Sequence, residues 1–177
     1  METKDHAHSV HHREAHRGKS WQDYLPLLVL LGVTALAASA KQCAYGPMAG
    51  GTAWMHDFMG FFLATFAMLK LFDLPGFADG FQMYDLLARR FRPYALAYPF
   101  VELALGLGYL AHWNPGIVYP ATVIVLGFGA LGVITALIKG LDIHCACMGT
   151  TLKVPLSTVA LLEDLGMVAM AAVMWFR

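Results

Sequence analysis

Six consecutive residues concentrate reactive chemistry in this chain: His144-Cys145-Ala146-Cys147-Met148-Gly149. Two thiols one residue apart can close a strained, readily reduced disulfide, or hold a soft metal ion between them. His144 and Met148 add an imidazole and a thioether, which extend the ligand set for an ion such as copper(I). Thiolate is the form that attacks and ligates. Lys153, and the N-terminal end of a helix beginning near Val154, would favour it. The pair therefore reads as redox-active (Cys145, Cys147), as a metal site (His144, Cys145, Cys147, Met148) or as structural.

A second set consists of ionisable residues inside long apolar stretches: Lys70, Glu102, Glu163 and Asp164. On helices, the carboxylates would sit roughly 12–15 Å from one membrane edge, in the half nearest the thiol segment. Charges in lipid are costly and face a bundle interior or a wet cavity. These four either pair with one another to fix the bundle, or bind a proton or a cation. At the opposite edge, Trp54, His56, Asp57, His112 and Trp113 suggest an aromatic belt, and His56, His112 and Asp57 suggest a metal site. His6, His8, His11, His12 and His16 lie in a polar tail, expected to be disordered and either a metal buffer or merely solvated. Most of the 10 methionines, such as Met59 and Met167, read as packing residues.

The elements that hold these residues are membrane helices. Of 177 residues, 58% are hydrophobic and 14% charged, whereas soluble domains are about a quarter charged. Net charge is +0, so nothing points to nucleic acid, and three cysteines are too few for a disulfide scaffold. Five apolar segments, about 24–40, 54–72, 94–111, 117–141 and 154–176, have the length that crosses a ~30 Å hydrocarbon core as helix. Lys41 to Gly51, Asp73-Leu74-Pro75-Gly76 and Asn114-Pro115-Gly116 mark breaks between them. Glycines at 106, 108, 127, 129 and 132 suit close helix packing. Phe77, Phe81, Tyr84, Ala88 and Phe91 recur at helical spacing, which predicts a short amphipathic helix in the membrane interface. The first apolar run lacks a clean cleavage site and reads as a retained span, not a signal peptide.

Basic residues divide unevenly between the two sides. The tail and the 73–93 and 139–154 loops are rich in Lys and Arg, and the other side receives only Lys41 and Arg177. This predicts a cytoplasmic N-terminus, a periplasmic C-terminus and an inner-membrane location. The Cys145/Cys147 segment then faces the cytoplasm and Cys43 the opposite side, too far for an intramolecular disulfide.

Four stretches resemble the MauE/DoxX group of redox-associated membrane proteins. They are His56-Asp57-Phe58-Met59-Gly60, Lys70 through Ala78, Tyr98-Pro99-Phe100-Val101-Glu102-Leu103, and Cys145-Ala146-Cys147-Met148-Gly149 followed by Val154-Pro155-Leu156-Ser157. The Cys-x-Cys-x-Gly motif is the most specific of these. The resemblance covers about two-thirds of the chain and leaves out the first span and the tail. It implies a four-helix membrane core, association with maturation of disulfide-bonded periplasmic enzymes, and a thioredoxin-like partner, with Cys145 and Cys147 as the redox pair.

The expected protein is thus all-α: a four-helix transmembrane bundle, one extra N-terminal span and an interfacial helix, with residues 21–177 as one domain behind a 1–20 tail. The leading function is thiol–disulfide exchange. The alternatives are soft-metal binding or transport, and an accessory role in a larger membrane complex.

Overall fold

The computed structural model describes residues 24–45, 50–138 and 156–176, and its elements are all helical: α1 (Leu25–Tyr45), α2 (Gly51–Phe72), α3 (Leu74–Tyr84), α4 (Arg92–Leu110), α5 (Pro115–Ile138) and α6 (Leu156–Trp175). No strand occurs among the described residues. Among the described residues, three helices are long and apolar enough to cross a membrane: α1 over Leu25–Ala44, α2 and α5. This is a multi-pass membrane protein. The expected tail and the segment carrying Cys145 and Cys147 lie outside the described residues.

The helices form two principal pairs, α2 with α4 and α5 with α6, while α1 leans on α2. Contact between the pairs is slighter, and α3 bridges them by touching both α4 and α5. Glycine permits the tightest crossing, between α2 and α4. A Cβ at Gly106 would lie 2.9 Å from the Ala64 amide nitrogen and 3.1 Å from the Gly60 carbonyl oxygen. Backbone meets backbone there, which only small residues allow. Gly132 serves α5 in the same way, since a Cβ there would stand 3.1 Å from the Asp85 Cα. Gly127 has open space around it, so the packing role expected of the glycines does not extend to every one of them.

The turn from α2 into α3 follows from Asp73-Leu74-Pro75-Gly76. The Gly76 amide donates to the Asp73 carboxylate at 3.0 Å, capping the helix, and Pro75 occupies the first turn where its missing N–H costs little. A second carboxylate closes the next connection. Asp85 Oδ1 accepts the amides of Leu87 and Ala88 at 2.9 and 2.7 Å, starting a single helical turn before α4.

The structure revises the expected amphipathic segment. Its helix ends at Tyr84, and the stripe of Phe77, Phe81, Tyr84 and Ala88 is buried in the protein, while Phe91 is exposed. Phe81 sits 4.7 Å from the Tyr98 ring and Phe77 6.2 Å from it. These rings make an aromatic roof over α4, so the stripe serves internal packing.

Gly106→Val should break the α2–α4 crossing. The expected loss is about 1–3 kcal/mol, typical of overpacking, read as a lower midpoint of thermal unfolding in detergent. Gly127→Ala should be neutral or slightly stabilising in the same assay.

Candidate functional site

Under the aromatic roof lies a buried ion cluster. Lys70 occupies the last turn of α2, Glu102 the middle of α4, and Glu163 and Asp164 adjoin on α6. The Lys70 ammonium donates to both oxygens of Glu102 at 2.7 and 2.6 Å, and to Glu163 Oε1 at 2.9 Å. Relative exposure is 3% for Lys70, 0% for Glu102 and 2% for Glu163. An ammonium has three donors, and here three carboxylate oxygens meet them. The ammonium also lies 5.5 to 5.9 Å from the ring centroids of Tyr98, Phe66 and Phe77, within the range of cation–π attraction. The bonds join α2, α4 and α6, so one cation ties together both helix pairs.

Acid outnumbers base in this region. Asp164 is buried at 7% exposure and takes neither an ion pair nor a hydrogen bond among the described residues. Asp85 is fully buried, and its Oδ2 is an unpartnered polar atom. Lys70 is the one buried cation among the described residues, set against Glu102, Glu163, Asp164 and Asp85. Uncompensated charge is very costly in such an interior, so the surplus carboxylates need protons or a further cation.

A small cavity opens beside Lys70, Glu163 and Asp164, lined also by Tyr84, Tyr98 and Val133. Its accessible space of about 10 Å³ holds roughly one water molecule. Gly129 of α5 forms one wall: a Cβ there would stand 3.1 Å from both Asp164 Oδ2 and the Tyr98 hydroxyl.

A second polar group occupies the other end of α2. His56 lies fourteen residues before Lys70, about 21 Å along the helix. His56 Nε2 is hydrogen-bonded to the Tyr119 hydroxyl, and the His56 and His112 rings stack at 4.8 Å. Asp57 instead holds the Lys41 ammonium at 2.6 Å. The candidate ligand set of His56, His112 and Asp57 is therefore not assembled, because its carboxylate belongs to an ion pair with α1. No cluster of three metal-ligating side chains occurs among the described residues.

The structure brings together Lys70, Glu102 and Glu163 and sets Asp164 beside them, as their shared half-depth in the sequence suggested. His144, Cys145, Cys147 and Met148 lie outside the described residues. Sequence reasoning passed over Asp85, Tyr84 and Tyr98 as members of this region. The i,i+4 spacing of Tyr98 and Glu102, which sets both on one face of α4, was a legible signal. Asp85 carried a weaker one, its position just before a short helical turn.

Among known proteins, the family model described as "Methylamine utilisation protein MauE" matches residues 48–177. No curated protein and no solved structure matches the chain. The matched range includes every member of the ion cluster and the Cys-x-Cys motif, and leaves out α1.

Lys70→Ala should strand two buried carboxylates and cost about 3–5 kcal/mol. Arg92→Ala, which removes an exposed pair with Asp79, should change stability little. Thermal or denaturant unfolding of both variants in detergent checks the contrast. Burial also raises the pKa of Asp85, opposed by the amides of Ala88 and Leu87. The folded state therefore binds this proton more tightly than the unfolded chain. The resulting stabilisation is full below the ordinary aspartate value and fades as pH rises through the raised one. Asp85→Asn, which keeps an oxygen for the capping amides, should flatten that pH dependence of the unfolding midpoint.

Proposed function

This chain belongs to the MauE family, and on that premise we propose that it is a thiol–disulfide membrane protein acting through Cys145 and Cys147. The observation that supports this reading is the Cys145-Ala146-Cys147 motif within the range matched by the family, residues 48–177, next to an anchored α6. The Cys-x-Cys segment joins α5, which ends at Ile138, to α6, which begins at Leu156. Seven residues into α6, about 10 Å along its axis, Glu163 is bonded to Lys70. A reactive pair needs a firm base from which to meet a partner, and the ion cluster supplies one at that end of the bundle.

In the proposed exchange, the thiolate of one cysteine attacks a sulfur of a partner's disulfide. That S–S bond breaks, a mixed disulfide forms, and the departing partner thiolate takes up a proton. The second cysteine attacks the mixed disulfide and releases the other partner sulfur. Two electrons pass to the partner and a Cys145–Cys147 disulfide remains. The reverse sequence reduces the pair. A thioredoxin-like protein has the chemistry this partner requires, and maturation of a disulfide-bonded enzyme is the process the family resemblance implies.

The proposed membrane arrangement has five spans. Helices α4 and α6, of 19 and 20 residues, are about 28–30 Å long. Their acidic residues lower their apolar character yet are buried inside the bundle, which suits spans that face lipid with their other sides. Helices α2, α4, α5 and α6 then form the four-helix core, α1 is the additional span, and α3 lies near one surface. The excess of Lys and Arg assigns the α3 side and the cysteine segment to the cytoplasm of a bacterial inner membrane.

Acid quenching of intact cells followed by mass-tag alkylation should reveal a Cys145–Cys147 disulfide whose proportion changes with growth conditions. Cys147→Ser or Cys145→Ser should trap a mixed disulfide with the partner while the unfolding midpoint stays unchanged. Thiols that remain reduced under every condition would overturn this reading and leave metal ligation by His144, Cys145, Cys147 and Met148, or an accessory role.

A further inference from the structure

The ion cluster contains a carboxyl that its own cation does not serve. Lys70 already directs its three donors to Glu102 and Glu163. Asp164, more than nine-tenths buried, borders the cavity without any partner among the described residues. The groups around it are Glu163 on α6, Lys70 on α2, Tyr98 on α4, and Tyr84 and Asp85 at the end of α3, with Glu102 of α4 behind Lys70. From α5 it meets Gly129, and the cavity wall adds Val133, neither of them titratable. Glu163, Asp85 and the Lys70 ammonium are its charged neighbours, so an ionised Asp164 would add negative charge to a region whose single cation already serves Glu102 and Glu163. Among the described residues, two phenols and one water-sized cavity are the polar surroundings left to it. A metal ion does not suit this place, since no three metal-ligating side chains gather there among the described residues.

We propose that Asp164 is a proton-binding site, and that the adjoining cavity holds the water through which this proton is exchanged. Tyr98 and Tyr84 flank that water as hydroxyl donors or acceptors. The proton removes one negative charge from a region in which Lys70 already serves both Glu102 and Glu163. The site stands whether or not Cys145 and Cys147 cycle. It is the kind of site at which a membrane protein takes up or releases a proton.

The test is infrared difference spectroscopy of the full-length protein in lipid nanodiscs. A protonated-carboxyl C=O band should be present at neutral pH, should shift in deuterium oxide, and should be lost as pH rises. Asp164→Asn should remove that band, and Asp85→Asn should leave it in place. Gly129→Ala retains every carboxyl and favours helix; its methyl should crowd Asp164 Oδ2 and the Tyr98 hydroxyl and move the band. Absence of the band in the native protein, its survival in Asp164→Asn, or its indifference to Gly129→Ala would each overturn the proposal. Loss of the band on adding sodium ions at constant pH would overturn it in favour of a cation site.

Discussion

An ammonium buried between two helix pairs organises this protein. Lys70 stands at the end of α2, where lipid or aromatic side chains would otherwise leave its charge unsolvated. Its three donors meet Glu102 of the same helix pair and Glu163 of the other. Elsewhere, contact between the pairs is slight, so this ion group carries much of the specificity with which they meet. Such a group does not by itself imply great stability, because desolvation offsets much of the attraction. It does penalise alternatives: any register or rotation that parts the three residues leaves bare charges in a dry interior.

The surrounding structure follows from enclosing that group. The aromatic face of α3 covers it, and the Asp73 and Asp85 caps define the two ends of α3. Gly132 lets the α3 turn approach α5, and Gly106 lets α4 approach α2. Large apolar side chains then cover much of the outside, among them Leu36, Phe72, Ile124 and Ile138. A bilayer accounts for so many large apolar side chains on the outside of apolar helices. The protein is thus apolar outward and charged inward, the arrangement expected where lipid replaces water as solvent.

The two ends of α2 differ in a way that bears on function. At the His56 end, His56 Nε2 bonds Tyr119 and Asp57 pairs with Lys41, while His56 Nδ1 and the Tyr109 hydroxyl find no partner among the described residues, and no excess of acid gathers. At the Lys70 end, acid exceeds base and a water-sized space remains. That end also carries the termini of α5 and α6 that flank the Cys-x-Cys segment. A membrane thiol protein of the MauE family would hold redox and proton chemistry at the same end, and thiol–disulfide exchange itself gains and loses protons.

Much of this was legible in the order of residues. Apolar length marked the helices and breaker residues their ends, because a backbone in lipid must bond to itself. Lys70, Glu102, Glu163 and Asp164 declared themselves as buried by their setting, since isolated charges do not remain inside apolar segments without partners. Spacing also put Phe77, Phe81 and Tyr84 on one face, but not what that face would meet. Only tertiary structure decided that it turns inward over Tyr98, that Lys70 chooses Glu102 and Glu163 and leaves Asp164, and that Asp57 serves Lys41 instead of a metal. The reason is physical. Local sequence sets which faces are apolar and which residues are charged. Partner choice among charges on different helices depends on crossing points and rotations, which Gly106 and Gly132 fix through contacts far apart in the chain.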